Sequence, residues 1–222
     1  MLHIMVSTSR TACALLAVAA VVMTSCTRIV DDARPVAGPD RSPIAAASDG
    51  SQCEAVDSAL TTIPALGDDE PVMKIPQPQG WDRMTMMDSE LIRFAMANRS
   101  LASDGFASNV VVTLENAPGI EEPDVVFDTM RDALESDLGA TDVRVSEHTL
   151  CGLPAETIEY QTPIMGNISP HPGTAVVAVL HTDDTTYAVS VTIQTKDPDN
   201  PDFLRDSEEI LKGFQLLPPS ET

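Results

Sequence analysis

The segments Thr174–Thr182 and Thr185–Thr195 constrain the fold most strongly. In the second, Tyr187, Val189, Val191 and Ile193 alternate with Ala188, Ser190, Thr192 and Gln194. A period of two sends alternate side chains to opposite faces, so this is a half-buried strand. Only Asp183 and Asp184 lie between the pair, and a connection that short forces an antiparallel hairpin. Further strands are predicted at Leu91–Ala97, Asn109–Glu115, Thr141–Leu150 and Ala155–Thr162, the last two separated around Gly152 and Pro154. The run Val110-Val111-Val112 reads as a strand covered on both faces.

Two helices interrupt the strands. Pro123–Leu138 has proline in its first turn and Gly139 at its end, and Phe127, Met130, Leu134 and Leu138 recur at helical spacing. Pro201–Lys212 can be capped by Asn200 and ended by Gly213, with Leu204, Ile210 and Leu211 as its apolar side. Phe214–Leu217 should pack back onto the core. Strands in runs, without strict strand–helix alternation, predict an α+β domain: an antiparallel sheet flanked by helices.

The N-terminus has the pattern of an export signal. Arg10 and His3 precede the small and apolar run Thr11–Met23, which is shorter than the roughly 20 residues of a membrane span. Thr24 and Ser25 then lead to Cys26, the arrangement of a bacterial lipoprotein signal, although Met23 stands where Leu, Val or Ile is usual. The expected organisation is a signal peptide over 1–25, a flexible linker over 26–51 and a single domain over 52–222. Acylated Cys26 would hold the protein on the extracytoplasmic face of the cell membrane, with release or secretion left open. Pro35, Pro39 and Pro43 and many small residues leave the linker nothing with which to bury a core. Some 25 residues reach roughly 25–30 Å as a flexible chain.

Composition narrows the function. The chain carries 13 basic and 34 acidic side chains, a formal net charge of −21. That excludes the basic patches that nucleic acids require, and leaves anchoring to lipid chains rather than to anionic headgroups. The acidity fits a solvated surface or a cationic partner. With Cys13 in the signal and Cys26 acylated, Cys53 and Cys151 remain, and an even pair in an oxidising compartment predicts a disulfide. His148, His171 and His181 show no tight spacing with the cysteines, so no metal site is expected.

Chemistry-bearing motifs are few. No Gly-x-Ser-x-Gly elbow, phosphate loop or dinucleotide fingerprint occurs. Ser146 and His148 share a strand face by alternation, which suits a polar surface pair as well as a hydrolytic dyad. Asp197–Asp202 offers oxygens to calcium but lacks the glycine and distal glutamate of an EF-hand, and also suits a helix start. Trp81, Met84, Met86 and Met96 could border a lipid groove between sheet and helix or simply fill core gaps.

Ile75-Pro76-Gln77-Pro78-Gln79-Gly80-Trp81, Cys151-Gly152-Leu153-Pro154-Ala155 and Leu211-Lys212-Gly213-Phe214 follow the lipoprotein signal in that order. Together, over Val72 to Pro218, they resemble the mycobacterial Lpp-LpqN lipoprotein family. The resemblance implies a Mog1/PsbP-like sandwich of sheet and helices. It also implies a non-enzymatic envelope protein without cofactor, binding a lipid, a glycolipid or a partner protein in envelope lipid transport. An acidic module acting on a transporter or host protein is the alternative, and a small envelope ester hydrolase a third.

Overall fold

The computed structural model describes residues 52–219. Cys26, the signal over 1–25 and the linker over 26–51 lie outside the described residues. The elements run β1 (Leu60–Ile63), β2 (Val72–Pro76), β3 (Asp82–Arg83), β4 (Ile92–Ser103), β5 (Phe106–Pro118), α1 (Pro123–Asp132), β6 (Thr141–Leu150), β7 (Leu153–Gln161), β8 (Pro172–His181), β9 (Thr185–Gln194), α2 (Pro201–Gly213) and β10 (Gln215–Leu217). Seven strands form one antiparallel sheet in the order β3-β4-β5-β9-β8-β7-β6. A second sheet of three strands, β1-β2-β10, joins the two ends of the domain.

The large sheet is covered on both faces, and alternation shows how. In β8, Ala178 and Leu180 belong to a core shared with Phe203 and Ile210 of α2, Met73 and Ile75 of β2, and Leu216 of β10. Ala175, Val177 and Val179 point the other way and pack with Ile158 and Tyr160 beneath Phe127 of α1. We call these the inner and outer faces. Helix α2 and the small sheet cover the inner face, and α1 covers part of the outer one.

Both helices begin as the sequence predicts. The Asn200 side chain accepts hydrogen bonds from the backbone of Asp202 and Phe203, capping α2. Pro123 opens α1, and Phe127, Met130, Leu134 and Leu138 all face the sheet. The second half of that predicted helix differs: Ala133–Leu138 widens into π turns before Gly139, at φ 79°, ends it. On α2 the inward residues are Phe203, Asp206, Ile210 and Gly213, whereas Leu204 is 51% exposed. Val110 and Val112 are buried and Val111 only partly so, since no helix lies over that part of the outer face.

Pro154 does not break a strand; it sits inside β7 opposite Thr149. The turn is made by Cys151 and Gly152 alone, with φ of 52° and 81°. Two successive left-handed residues form the tight hairpin whose twist matches that of the flanking strands. Cys151 is bonded to Cys53, 98 residues earlier. A loop that long is worth about 4.7 kcal/mol in the chain-entropy model.

Candidate functional site: a groove beneath the C-terminal helix

β6 is the edge strand of the large sheet, and nearly all its side chains are exposed. Its register with β7 and β8 lays out two rows of inner-face residues. One runs Arg144, Glu159, Thr174, Ile193; the next runs Ser146, Thr157, Val176, Val191. Helix α2 crosses these rows without closing on them. Two cavities result, of about 370 and 430 Å³. The first has Ile193, Thr174, Phe203 and Leu204 as walls, with Arg144 and Glu159 at its side. The second is lined by Val176, Leu150 and Thr157, with His148, Glu208 and Lys212 around it. Leu211 of α2 lines both, so the two cavities meet beneath a single side chain.

The groove is therefore apolar in its floor and charged along its rim. The Arg144 and Glu159 side chains lie 3.5 Å apart and stay 77% and 58% exposed, so their pairing is weak. Lys212 donates to Glu208 at 2.6 Å one helical turn away, and that exposed pairing draws the Glu208 carboxyl below its usual range. Asp142 borders the first cavity at φ 54°, where β6 bulges between Thr141 and Arg144. Bulges of this kind re-aim side chains beside sites. The disulfide and its neighbours Gln52 and Glu54 help wall the second cavity, so the bond also shapes the groove.

His148 has two partners here. Its Nδ1 lies 3.2 Å from the Thr149 carbonyl, which can only accept, so Nδ1 carries the proton. Nε2, 2.9 Å from Thr157 Oγ1, then accepts from the hydroxyl. The imidazole nitrogen that would activate Ser146 is thus committed to Thr157. The Asp197–Asp202 stretch is spent on starting α2: Asn200 caps the helix, Asn200 Nδ2 donates to Asp197 and Arg205 pairs with Asp202. Among the described residues no group of three or more His, Cys, Asp or Glu is placed to hold a metal ion.

The four residues expected to border a groove do not come together as one. Trp81 and Met96 are core, 2% and 0% exposed, while Met86 stands on a short 3₁₀ turn at 88% exposure and Met84 is half-buried beside it. Trp81 is instead a strut. Its indole Nε1 donates to Asp206 Oδ2 at 2.8 Å, and Arg205 holds the other oxygen of that buried carboxylate. The real groove-lining residues sit on β6, β7, β8 and α2. Of these the sequence singled out Leu211 and Leu204, as apolar positions of the last helix. His148 was singled out too, for its pairing with Ser146; the rest, such as Val176, Thr174 and Glu159, are ordinary strand residues that become a site only through register.

No protein family matches this chain by sequence, and no curated protein does. Solved structures do. LpqN, described as involved in cell envelope biogenesis of Mycobacterium tuberculosis, superposes with a TM-score of 0.57 at 14% identity, covering 72% of this chain and 91% of that one. The Saccharomyces cerevisiae Ran-binding protein Mog1p matches with a TM-score of 0.43 at 13% identity, over 72% of this chain and 96% of that one. The likeness is one of fold. The antiparallel sheet between helices, implied by the family resemblance, is the architecture found.

Proposed function

We propose that this protein is a membrane-anchored, non-enzymatic component of a bacterial cell envelope. It binds a lipid or glycolipid in the groove beneath α2 and assists envelope lipid transport. The groove carries the reading: an apolar lining, with Val176 and Ile193 from the sheet and Phe203 and Leu211 from α2, beside a charged rim suits a molecule with an aliphatic part and a polar head. The fold shared with LpqN and the lipoprotein-type N-terminus support the envelope setting. The test is native mass spectrometry of the protein purified from its own membrane, with lipid extraction alongside. A stoichiometric lipid, lost when Leu211→Trp fills both cavities, is the expected result. A bare mass in both proteins overturns it.

The net charge of −21 favours a second reading, an acidic module docking on a transporter or host protein. Such binding weakens steeply with salt, whereas lipid held in an apolar groove does not.

A further inference from the structure

Helix α1 rests lightly on the molecule. Of its residues only Phe127 is buried, with Val126 and Met130 partly so, as are Leu134 and Leu138 in the π turns that follow. Yet it covers Ile158, Tyr160, Ala175, Val177 and Val179, all at most 4% exposed. Within this cover lies a carboxylate. Glu156 of β7 is 0% exposed; its Oε2 accepts from Arg131 of α1, and its Oε1 has no partner. Arg131 is shared, since it also donates to Asp128 on its own helix. β6 places Glu147 directly opposite Glu156, and β8 places uncharged Val177 on its other side. One guanidinium thus serves two acids, Asp128 and a buried Glu156 with a bare oxygen, and a third acid, Glu147, stands across the strand pair from Glu156.

We propose that α1 is a proton-linked cover, closed by a proton on Glu156 and loosened when Glu156 is ionised. A buried carboxylate with an unsatisfied oxygen is costly, and lifting α1 lets water reach it. The widened turns over Ala133–Leu138 provide an irregular segment beside the anchor about which the helix can move. Burial, more than any neighbour, raises the Glu156 carboxyl above its usual range; Arg131 opposes this, and Glu147 and Asp128 reinforce it. In the open form the carboxyl returns to that usual range. Between the two values the closed form holds more protons than the open one. The opening constant therefore rises with pH, by at most about tenfold per pH unit, and levels off above the raised value.

Hydrogen exchange of the full-length protein tests this, read at the α1 amides and divided by the intrinsic exchange rate. The expected result is opening that increases from about pH 4.5 toward neutrality in the wild type, while amides of β8 and β9 stay protected. In Glu156→Gln the rise should vanish, and α1 should exchange more slowly than in wild type at neutral pH. Arg131→Met, which leaves the carboxylate unopposed, should open α1 further. Wild-type α1 exchange that is flat with pH, or that only tracks β8 and β9, overturns the proposal even if no variant folds. Equal slopes in wild type and Glu156→Gln do so as well.

Discussion

The two faces of the large sheet are built by different means. The inner face buries large side chains from distant segments against one another: Phe94 and Met96 of β4, Met73 and Ile75 of β2, Ile210 of α2 and Phe214, all at most 1% exposed. It is also tied by directional bonds. Arg93 of β4, 6% exposed, forks onto both oxygens of Glu70 at 2.9 and 2.7 Å and reaches the Pro64 carbonyl, fastening the β1–β2 connection to the sheet. The outer face has a smaller cluster around Ile158 and Tyr160, one lightly seated helix, and a buried ion pair with an oxygen left over. One fold thus carries two kinds of packing, and local opening is expected on the outer face before the inner one.

The largest effects should come from the inner face. Phe214→Ala removes a ring that is 1% exposed, where core elements from both ends of the chain meet, and should cost about 3–5 kcal/mol of global stability in denaturant unfolding. A cost below about 1 kcal/mol would show that the small sheet is an ornament. Replacing Cys53 and Cys151 together by Ser should cost about 2–4 kcal/mol in the same measurement. Because the bond walls the second cavity, that variant should also weaken any groove ligand.

Glu70 gives the comparison a pH signature. The hydrogen bonds from Arg93, more than any other cause, hold its carboxyl below the usual range. A carboxyl lowered by folding contributes stability that is present above its unfolded value and lost as pH falls through the folded one. Glu70→Gln should therefore cost about 2–3 kcal/mol at neutral pH, from a weakened charge-assisted fork onto a buried Arg93, and the gap to wild type should shrink on acidification. Glu156 has the opposite sign: its raised carboxyl makes stability fall as pH rises from the ordinary carboxylate range through its folded value. Unfolding curves of Glu70→Gln and Glu156→Gln against pH should thus diverge from wild type in opposite directions.

What the sequence made legible follows from range. The β8–β9 pair, α1 and α2 rest on periodicity and caps within a few residues, and all were readable. The small sheet was not. β1 and β2 are four and five residues long, and β2 finds its other partner, β10, some 140 residues later. Nothing local in Val72–Pro76 announces Gln215–Leu217. The site failed for a related reason. Methionine and tryptophan serve a core and a groove equally, so composition could not separate them, and Trp81 was claimed by Asp206, 125 residues away. That partner did leave a trace. Phe203, Asp206, Ile210 and Gly213 fall at the spacing of one helix face, and an acid on an otherwise apolar stripe needs a donor.

The smallest predicted effect is the sharpest for the comparison. Phe127 is the one buried side chain of α1, yet at 6% exposure it sits near the margin of the outer cluster. The cost of truncating a ring depends on how far the surroundings can collapse, and a lightly seated helix can settle where the inner core cannot. Phe127→Ala should therefore cost about 2 kcal/mol or less, below the cost of Phe214→Ala for the same chemical change. Its loss should be local: α1 amides should exchange faster while those of β5 and β9 keep their protection. Equal costs for the two phenylalanines, or loss of protection throughout the sheet, would mean that the two faces fold as one unit. The two faces would then differ in shape and not in stability.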